Sequence, residues 1–200
     1  MKKQIIGIVG SYRKGGVIDI LVTEVLSAAR KQGAETEKIY LVDKHIEFCA
    51  NCRTCTQIAG TEPGNCIHDD DMQALLAQCK KADGLVIGAP VNFFNINAIT
   101  RRFMERLACF AYWPWGQGGP VMRNKIMSKK AVLVTSSAMP AIMGHFFTGA
   151  LRALTFMART MGAKPVSSIF AGMIAQAEKP AIPDRMLRKA RAAGRKLAMN

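Results

Sequence analysis

The sequence predicts an α/β protein in which a five-stranded parallel sheet carries helices on both faces, giving three layers. Short runs rich in Ile and Val, such as residues 4–10 and 84–89, are typical of strands buried on both faces of a parallel sheet. Segments with apolar residues at helical spacing lie between these runs. The chain has 200 residues, of which 50% are hydrophobic, so it is long enough to bury one full core.

The predicted strands and helices alternate along the chain. Helix one ends at Gly33, a residue type suited to a helix C-terminus. The three acids that follow His68 begin helix two, where the helix dipole favours negative charge. The cysteine-rich segment 48–66 shows no periodicity, which indicates a loop. In order, the predictions are strand one at 4–10, helix one at 18–29, strand two at 36–41, helix two at 72–81, strand three at 84–89, helix three at 97–109, strand four at 131–135, helix four at 144–161, strand five at 165–170 and a last helix at 184–199.

Strands that alternate with helices favour a parallel sheet covered on both sides. Five such strands suit the flavodoxin-like order 2-1-3-4-5, in which ligands bind at the carboxyl ends of strands near the switch point between strands one and three. The sequence contains no internal repeat and no evident linker, so we expect a single domain over residues 1–200. This domain would carry a cysteine-rich insertion at about 48–66 and a basic C-terminal helix at about 184–199.

The chain is strongly basic, with 28 Lys and Arg against 14 acids and a net charge of +14. The charge is not evenly spread: the predicted last helix carries six cations against one acid, and we interpret this charge as a solvated face. No binding motif accompanies the charge, so the sequence does not favour a nucleic-acid partner. The N-terminal apolar run is far too short for a signal sequence or a membrane span, and no later run approaches the roughly 20 residues that a span needs. These features predict a cytoplasmic protein without a membrane span.

The loop after strand one, residues 10–18 with the sequence GSYRKGGVI, has the composition of a phosphate site. A phosphate there would meet the free N–H groups of a helix N-terminus, a hydroxyl and two cations. An ordinary solvated turn is the alternative. The glycine spacing fits neither the dinucleotide-binding fingerprint nor a Walker loop. The candidate ligands are Ser11, Arg13, Lys14, Gly16, Val17 and Ile18.

Two further loops are expected beside the first one. A flavin ring needs flat apolar walls and backbone donors, which the loop after strand three can supply through Phe93, Phe94 and its amides. The alternative is that these phenylalanines belong to the core. The polar loop after strand four is placed to form a third side of the same pocket. The candidate residues are Pro90, Val91, Asn92, Phe93, Phe94, Asn95, Thr135, Ser136 and Ser137.

Four of the six cysteines, Cys49, Cys52, Cys55 and Cys66, lie within 18 residues. In a chain without a secretory signal, such clustering indicates metal or redox chemistry rather than a disulfide framework. The C-x2-C-x2-C run fits a [4Fe–4S] cluster best. Zinc, which usually takes two separated pairs, and a set of reduced thiols that binds no metal remain as alternatives.

Several ordered motifs resemble the NAD(P)H-dependent FMN reductase superfamily, specifically its iron–sulfur flavoprotein branch. The loop at 10–14 is similar to the Gly-Ser-Pro-Arg-Lys loop of the family, with Tyr12 in place of proline. The segments at 66–72, 82–91 and 98–106 are similar to further family motifs. The hydroxyl and amide side chains usual after the first loop are replaced by Val17 and its neighbours, so Ser11, Arg13 and backbone N–H groups would hold the phosphate.

The resemblance implies an FMN-dependent oxidoreductase in which the flavin carries the chemistry and no acid–base residue is required. NAD(P)H or a protein donor would reduce FMN, and a quinone, a metal ion or another acceptor would take the electrons, through a [4Fe–4S] cluster if one is present. A homodimer or homotetramer is implied, with Phe110, Trp113 and Trp115 as interface candidates. A non-catalytic redox carrier or sensor, and a basic binding module without flavin, are the other functions considered.

Overall fold

A parallel sheet forms the centre of the computed structural model, which describes residues 2–174 and 181–199. Its five parallel strands follow the order β2-β1-β3-β7-β8, and the short strand β4 pairs antiparallel with β3. Counting parallel strands along the chain gives 2-1-3-4-5, which confirms the predicted order. The strands are β1 (Gln4–Val9), β2 (Glu35–Tyr40), β3 (Gly84–Asn92), β4 (Asn95–Ile96), β5 (Ala111–Tyr112), β6 (Val121–Met122), β7 (Lys129–Ser136) and β8 (Ala163–Ala171).

Helices cover both faces of the sheet. Side chains of β1 alternate between two apolar clusters, with Ile6 and Ile8 in one and Ile5 and Val9 in the other, as the pleat of a strand requires. The first cluster includes α2, α3 and α5, and the second includes α1 and α6. The helices are α1 (Val17–Arg30), α2 (Met72–Lys81), α3 (Ala98–Arg106), α4 (Ala141–Phe147), α5 (Ala150–Thr160) and α6 (Asp184–Ala198).

Helix α1 packs very close to the middle of the sheet, beside the switch point. A Cβ atom on Gly88 of β3 would lie 2.7 Å from Val22 and 2.8 Å from Ile18 of this helix. Glycine at this position therefore lets the N-terminal half of α1 lie directly over β1 and β3.

Strand β3 extends beyond Pro90, so the predicted end of strand three is wrong. It continues to Asn92 and turns into β4 through Phe93 and Phe94, whose φ angles are 49° and 65°. Two consecutive positive φ angles are the mark of a type I′ hairpin turn, which normally uses Asn and Gly. Two phenylalanines give no such signal, which is why the sequence did not indicate this hairpin.

The predicted helix at 144–161 is in fact two helices, α4 and α5, separated by Thr148 and Gly149. The Gly149 N–H donates to the carbonyl of Phe94 (2.8 Å) at the hairpin tip. In a continuous helix this N–H would instead form a hydrogen bond within the helix. In the described chain, no single helix is long and apolar enough to cross a membrane. Helices α4 and α5 meet that length and composition only as a pair bent by 66°.

Smaller differences occur at other boundaries. Helix α3 ends at Arg106 and continues as a 3-10 turn (Leu107–Phe110). The long connection at 111–130 contains the small hairpin β5–β6. The six basic side chains predicted to form a solvated face on the last helix are exposed, whereas Ala190, Ala193 and Leu197 are buried against the second cluster. These basic residues are Arg185, Arg188, Lys189, Arg191, Arg195 and Lys196.

Candidate functional site

The first loop lies at the N-terminus of α1, next to the switch point. Helix α1 begins after Gly16, and no side chain caps its first turn. The loop is held by its own bonds: Gly16 N–H donates to Arg13 O (3.2 Å), and the Ser11 hydroxyl accepts from Arg13 N–H (3.1 Å). The first-turn amides of α1, from Val17 and Ile18, therefore remain available to an anion.

The two cations of this loop differ in their partners. Lys14 Nζ pairs with Asp43 at 2.7 Å, on the exposed surface. Arg13 is exposed and forms no ion pair with any residue that the structure describes. Arg13 is thus the cation of the loop that is free to bind a phosphate.

Asp19 is a site residue that the sequence analysis missed. Its buried carboxylate accepts hydrogen bonds from Gly15 N–H (2.7 Å), Lys38 Nζ (2.7 Å) and the Tyr40 hydroxyl (3.0 Å). Burial raises the pKa of Asp19, but the bonds from Lys38, Gly15 and Tyr40 outweigh it and hold the pKa below its ordinary value. The ionised carboxylate fixes Gly15 and neutralises Lys38. An acid in the first turn of a helix is the signal that could have indicated it.

The start of α3 is attached to the same loop. The Thr100 hydroxyl lies 3.0 Å from Gly10 O and 2.6 Å from Asn97 Oδ1, and Tyr12 OH accepts from Ile99 N–H (3.2 Å). Tyr12, which replaces the usual proline, therefore connects the first loop to α3. Asn97 Nδ2 is buried and has no hydrogen-bond partner within residues 2–174 and 181–199.

The other two candidate loops end at the same edge of the sheet. Val9 pairs with Gly88, and Pro90 pairs with Ser136, so the carboxyl ends of β1, β3 and β7 are adjacent. Thr135 is fully buried, and its hydroxyl also has no partner in the described chain. With Asn97 Nδ2, it forms a pair of buried polar atoms that fit a polar ligand at this edge.

The structure does not bury the candidate flavin walls. Phe93 is 101% exposed and Phe94 is 58% exposed, both at the tip of the β3–β4 hairpin. They are therefore not core residues, which was the alternative considered. Pro90 and Val91 are half-buried, Asn92 and Asn95 are exposed, and Ser136 and Ser137 are buried.

The four clustered cysteines line one cavity of about 320 Å³, between α3, α5 and the loop around Trp113. Cys49, Cys55 and Cys66 are half-buried, Cys52 is exposed, and all four are free thiols. The ten residues between Cys55 and Cys66 fold back rather than extend outward. A Cβ atom on Gly64 would lie 1.8 Å from Cys55 O, so only glycine allows this return.

Arg123 holds the returning segment in place, and nothing in its sequence surroundings indicated this role. It is 8% exposed, and its guanidinium donates to four backbone carbonyls. The acceptors are Cys109 O (3.0 Å), Gly60 O (3.0 Å), Ile58 O (2.9 Å) and Cys55 O (3.2 Å). A planar fork with five donors suits such a set of carbonyls, which a lysine could not span.

A buried ion pair fixes the two ends of the cysteine segment. Arg106 and Asp70 form a salt bridge in which the side chains are 2% and 0% exposed. Asp70 also accepts from the backbone N–H groups of Glu47 (2.8 Å) and Met72 (3.0 Å). Burial raises the pKa of Asp70, but its bonds to Arg106, Glu47 and Met72 outweigh it, so the pKa lies below its ordinary value.

Four of the six thiols have pKa values shifted by their surroundings. Hydrogen bonds from Thr54 lower the pKa of the exposed Cys52, whereas burial and then the neighbouring cysteines raise the pKa of Cys55. Burial raises the pKa of Cys79 and of Cys109 to about 12. The thiolate is the reactive form, so acidity and exposure point to the same residue.

We therefore expect Cys52 to be alkylated first in metal-free protein at pH 8, while Cys79 and Cys109 react only after denaturation. Timed iodoacetamide labelling followed by peptide mass spectrometry measures this order. Cys52→Ser is the control. In this variant the fastest phase of labelling should disappear, and the slow phases should keep their rates. Labelling of Cys55 before Cys52 would contradict the assignment.

The four cysteines share a cavity, but the described residues form no ready metal-binding group. No group of three or more Cys, His, Asp or Glu side chains in the described ranges is arranged to hold one metal ion. A zinc ion would need all four sulfurs about 2.3 Å from one point, whereas a [4Fe–4S] cluster takes one cysteine per iron. Two residues that line the cavity, Arg53 and His68, each have a buried nitrogen atom, Nε and Nε2, without a hydrogen-bond partner in the described part of the chain. The positive charge of Arg53 in this lining would suit an anionic centre, whose identity stays a prediction.

The chain is similar to several known proteins. An iron–sulfur flavoprotein of Methanocaldococcus jannaschii is 39% identical over 103 residues, which are 52% of this chain and 51% of that protein. The chain spans about half the length of the curated relatives it matches.

Two solved structures share the fold over nearly the whole chain. An NAD(P)H:quinone oxidoreductase from Methanothermobacter marburgensis has a TM-score of 0.72 at 15% identity, covering 98% of this chain and 100% of that chain. An FMN-dependent NADH-azoreductase from Bacillus anthracis, in complex with FMN, has a TM-score of 0.67 at 16% identity, covering 99% and 98%. The sequence profile described as NADPH-dependent FMN reductase matches residues 3–176. With its flavodoxin-like sheet and the open helix N-terminus at the switch point, the chain belongs to the NADPH-dependent FMN reductase family.

Proposed function

We propose that the protein is an FMN-dependent oxidoreductase that binds the FMN phosphate at the N-terminus of α1. The observation that carries this proposal is the uncapped first turn of α1 at the switch point of the sheet, beside Arg13, which is exposed and has no ion pair among the described residues. The buried Asn97 Nδ2 and Thr135 Oγ1 supply unsatisfied polar atoms at the same edge. Membership of an FMN reductase family supports the choice of ligand.

The chain's own residues bind and orient the cofactor. The amides of Val17 and Ile18, the Ser11 hydroxyl and the Arg13 guanidinium would hold the phosphate, and Asp19 would keep Gly15 in place. The hairpin after β3 and the end of β7 would border the ring. Bound FMN would supply the redox chemistry, namely hydride and electron transfer between a donor and an acceptor.

We expect Arg13→Ala to weaken FMN binding at least tenfold, about 1.5 kcal/mol, because it removes a charge-assisted contact to the phosphate. Quenching of FMN fluorescence during titration of the apoprotein measures the dissociation constant. The matched control is Lys14→Ala, whose cation is already paired with Asp43 and should matter less. Equal affinities for Arg13→Ala and the unaltered protein would refute the role of Arg13.

The four clustered cysteines would hold a [4Fe–4S] cluster as a second redox centre. Support comes from the shared cavity, from the orphaned nitrogen atoms of Arg53 and His68, and from the iron–sulfur flavoproteins among the relatives. Visible absorption together with iron and acid-labile sulfide analysis of anaerobically purified protein tests this part. About four iron and four sulfide per chain are expected. A yellow protein without iron would support the proposed flavin and contradict the proposed cluster.

The donor would be NAD(P)H or a protein, and the acceptor a quinone, a metal ion or another small molecule or protein. Rapid NADPH oxidation that depends on an added quinone would support an enzyme. Reduction of the flavin without turnover would instead indicate a carrier or sensor. If the protein stays colourless after FMN is offered, the basic binding module without flavin is the function that remains. Six free thiols suit a reducing compartment, for which we propose the cytoplasm.

A second copy of the chain would cover exposed phenylalanines beside the carboxyl end of β3. Of the three interface candidates, Phe110 is buried at 4% exposure because it packs in the core, and Trp113 and Trp115 both stack on Arg53. The exposed phenylalanines lie instead on the β3–β4 hairpin and on α4, which meet where Gly149 contacts Phe94. They are Phe93, Phe94, Phe146 and Phe147.

We expect Phe93→Ser combined with Phe146→Ser to convert a homodimer or homotetramer into a monomer, because it removes two large apolar side chains from this edge. Size-exclusion chromatography with light scattering measures the mass. Ile58→Ser, at a residue that is 79% exposed in the cysteine segment, is the matched control and should leave the mass unchanged.

A further inference from the structure

Arg53 is held between two tryptophan rings beside the cysteine cavity. Its guanidinium lies 3.9 Å from the Trp113 ring centre and 4.1 Å from the Trp115 ring centre. Its Nη2 atom donates to Trp113 O at 2.6 Å and to Pro114 O at 3.3 Å. A cation enclosed by two aromatic faces and two carbonyls is fixed in position, unlike an ordinary surface arginine.

The backbone around Arg53 is also constrained. Asn51 and Arg53 have positive φ angles of 52° and 61°, on either side of Cys52. Such angles are unfavourable for residues other than glycine and persist only where surrounding contacts hold them. Arg53 O provides these contacts, since it accepts from the amide (2.9 Å) and the hydroxyl (2.8 Å) of Thr56. We call Arg53 and the two tryptophan rings that enclose it the clamp. Together with the Thr56 hydrogen bonds, the clamp sets the shape of the C-x2-C-x2-C run.

The charge of Arg53 has no carboxylate partner among the residues that the structure describes, and its acceptors are neutral carbonyls. Its Nε atom is buried and has no hydrogen-bond partner within residues 2–174 and 181–199. Arg101, another arginine that lines the cavity, is instead paired with Glu105 at 3.0 Å. Arg53 thus supplies a positive charge without a paired carboxylate to the wall of the cavity that the four cysteines share.

We infer that Arg53, clamped between Trp113 and Trp115, is a positioning residue that raises the reduction potential of the cysteine-bound centre. This inference rests on the proposed [4Fe–4S] cluster. Reduction adds one negative charge to a cluster, and a fixed cation or an N–H donor nearby stabilises the more negative state. The charge of Arg53 therefore favours reduction, and its removal makes the cluster harder to reduce.

The test is a spectroelectrochemical titration of the cluster in the FMN-loaded protein, with Arg53→Gln and the matched control Arg101→Gln. We expect Arg53→Gln to lower the equilibrium constant for one-electron reduction at least threefold, about 28 mV toward negative potential. Arg101→Gln should leave it within the error, because Glu105 already compensates that charge. Arg53→Lys, which keeps the charge, should recover part of the shift, as a purely structural role would not.

Each outcome decides the inference. An intact cluster with an unshifted potential in Arg53→Gln overturns the role of Arg53 and leaves the proposed function standing. Absence of iron and sulfide in the unaltered protein overturns both this inference and the cluster. If Arg53→Gln does not assemble a cluster, the reduction potential is measured in Trp115→Leu instead. Trp115 is 68% exposed, so its loss loosens the clamp without opening the core, and the potential should move in the same direction.

Discussion

Replacing Asp70 by asparagine should lower the free energy of unfolding by about 3–5 kcal/mol, because it leaves the Arg106 guanidinium buried without its counter-charge. The two side chains are almost completely inaccessible, so water cannot replace the lost carboxylate. Asp70 also accepts from the amides of Glu47 and Met72, which join the start of the cysteine segment to α2. Urea unfolding followed by circular dichroism measures the change.

The matched control is Asp69→Asn, one residue away on the exposed surface, for which we expect a change within about 0.5 kcal/mol. Adding Arg106→Met to Asp70→Asn should recover part of the loss, because the uncompensated cation is then removed. A loss below about 1 kcal/mol for Asp70→Asn alone would contradict a fully desolvated pair.

The pH dependence of this effect has a defined sign. The pKa of Asp70 is lower in the folded protein than in the unfolded chain, so the unfolded state binds more protons at intermediate acidity. Its contribution is complete above the ordinary carboxyl pKa of about 3.9 and is lost as the pH falls through the folded value. The difference between the unaltered protein and Asp70→Asn should therefore shrink below about pH 4. The lowered pKa of Asp19 contributes to acid unfolding in the same direction.

The sheet order could be predicted from the sequence because each parallel strand is recognisable locally. Residues of β1 and β3 must be apolar on both faces, and this pattern needs no knowledge of their neighbours. The position of the first loop could also be predicted, because the switch-point rule places the end of β1 beside the end of β3.

The elements that were missed depend on contacts between distant residues. The break between α4 and α5 at Gly149 and the turn at Phe94 are joined by one hydrogen bond, and neither segment signals it alone. Asp70 was predicted as a favourable acid at a helix start, whereas its main partner is Arg106 on another helix. Asp19 and Arg123 were missed for the same reason, because their partners lie on other elements or loops.

Replacing Arg123 by methionine should lower the free energy of unfolding by about 2–4 kcal/mol and open the segment between Cys55 and Gly64. The four carbonyls that Arg123 binds are on two separate stretches of chain, and each buried acceptor without a donor costs about 1–3 kcal/mol. Opening the segment lets the carbonyls of Ile58 and Gly60 reach water, which limits the loss of stability. It also exposes Cys55, whose thiol is half-buried in the native loop.

The combined readout of stability and thiol labelling separates this role of Arg123 from general packing. In metal-free protein, Cys55 should react with iodoacetamide at least tenfold faster in Arg123→Met, while the buried Cys79 keeps its slow rate. Arg101→Met removes an exposed, paired arginine and should change neither quantity. Arg123→Lys should resemble Arg123→Met, because one ammonium cannot span carbonyls from Cys55 to Cys109. A normal Cys55 rate in Arg123→Met would show that the segment keeps its fold through Gly64 alone, whose close approach to Cys55 O would then be the stronger constraint.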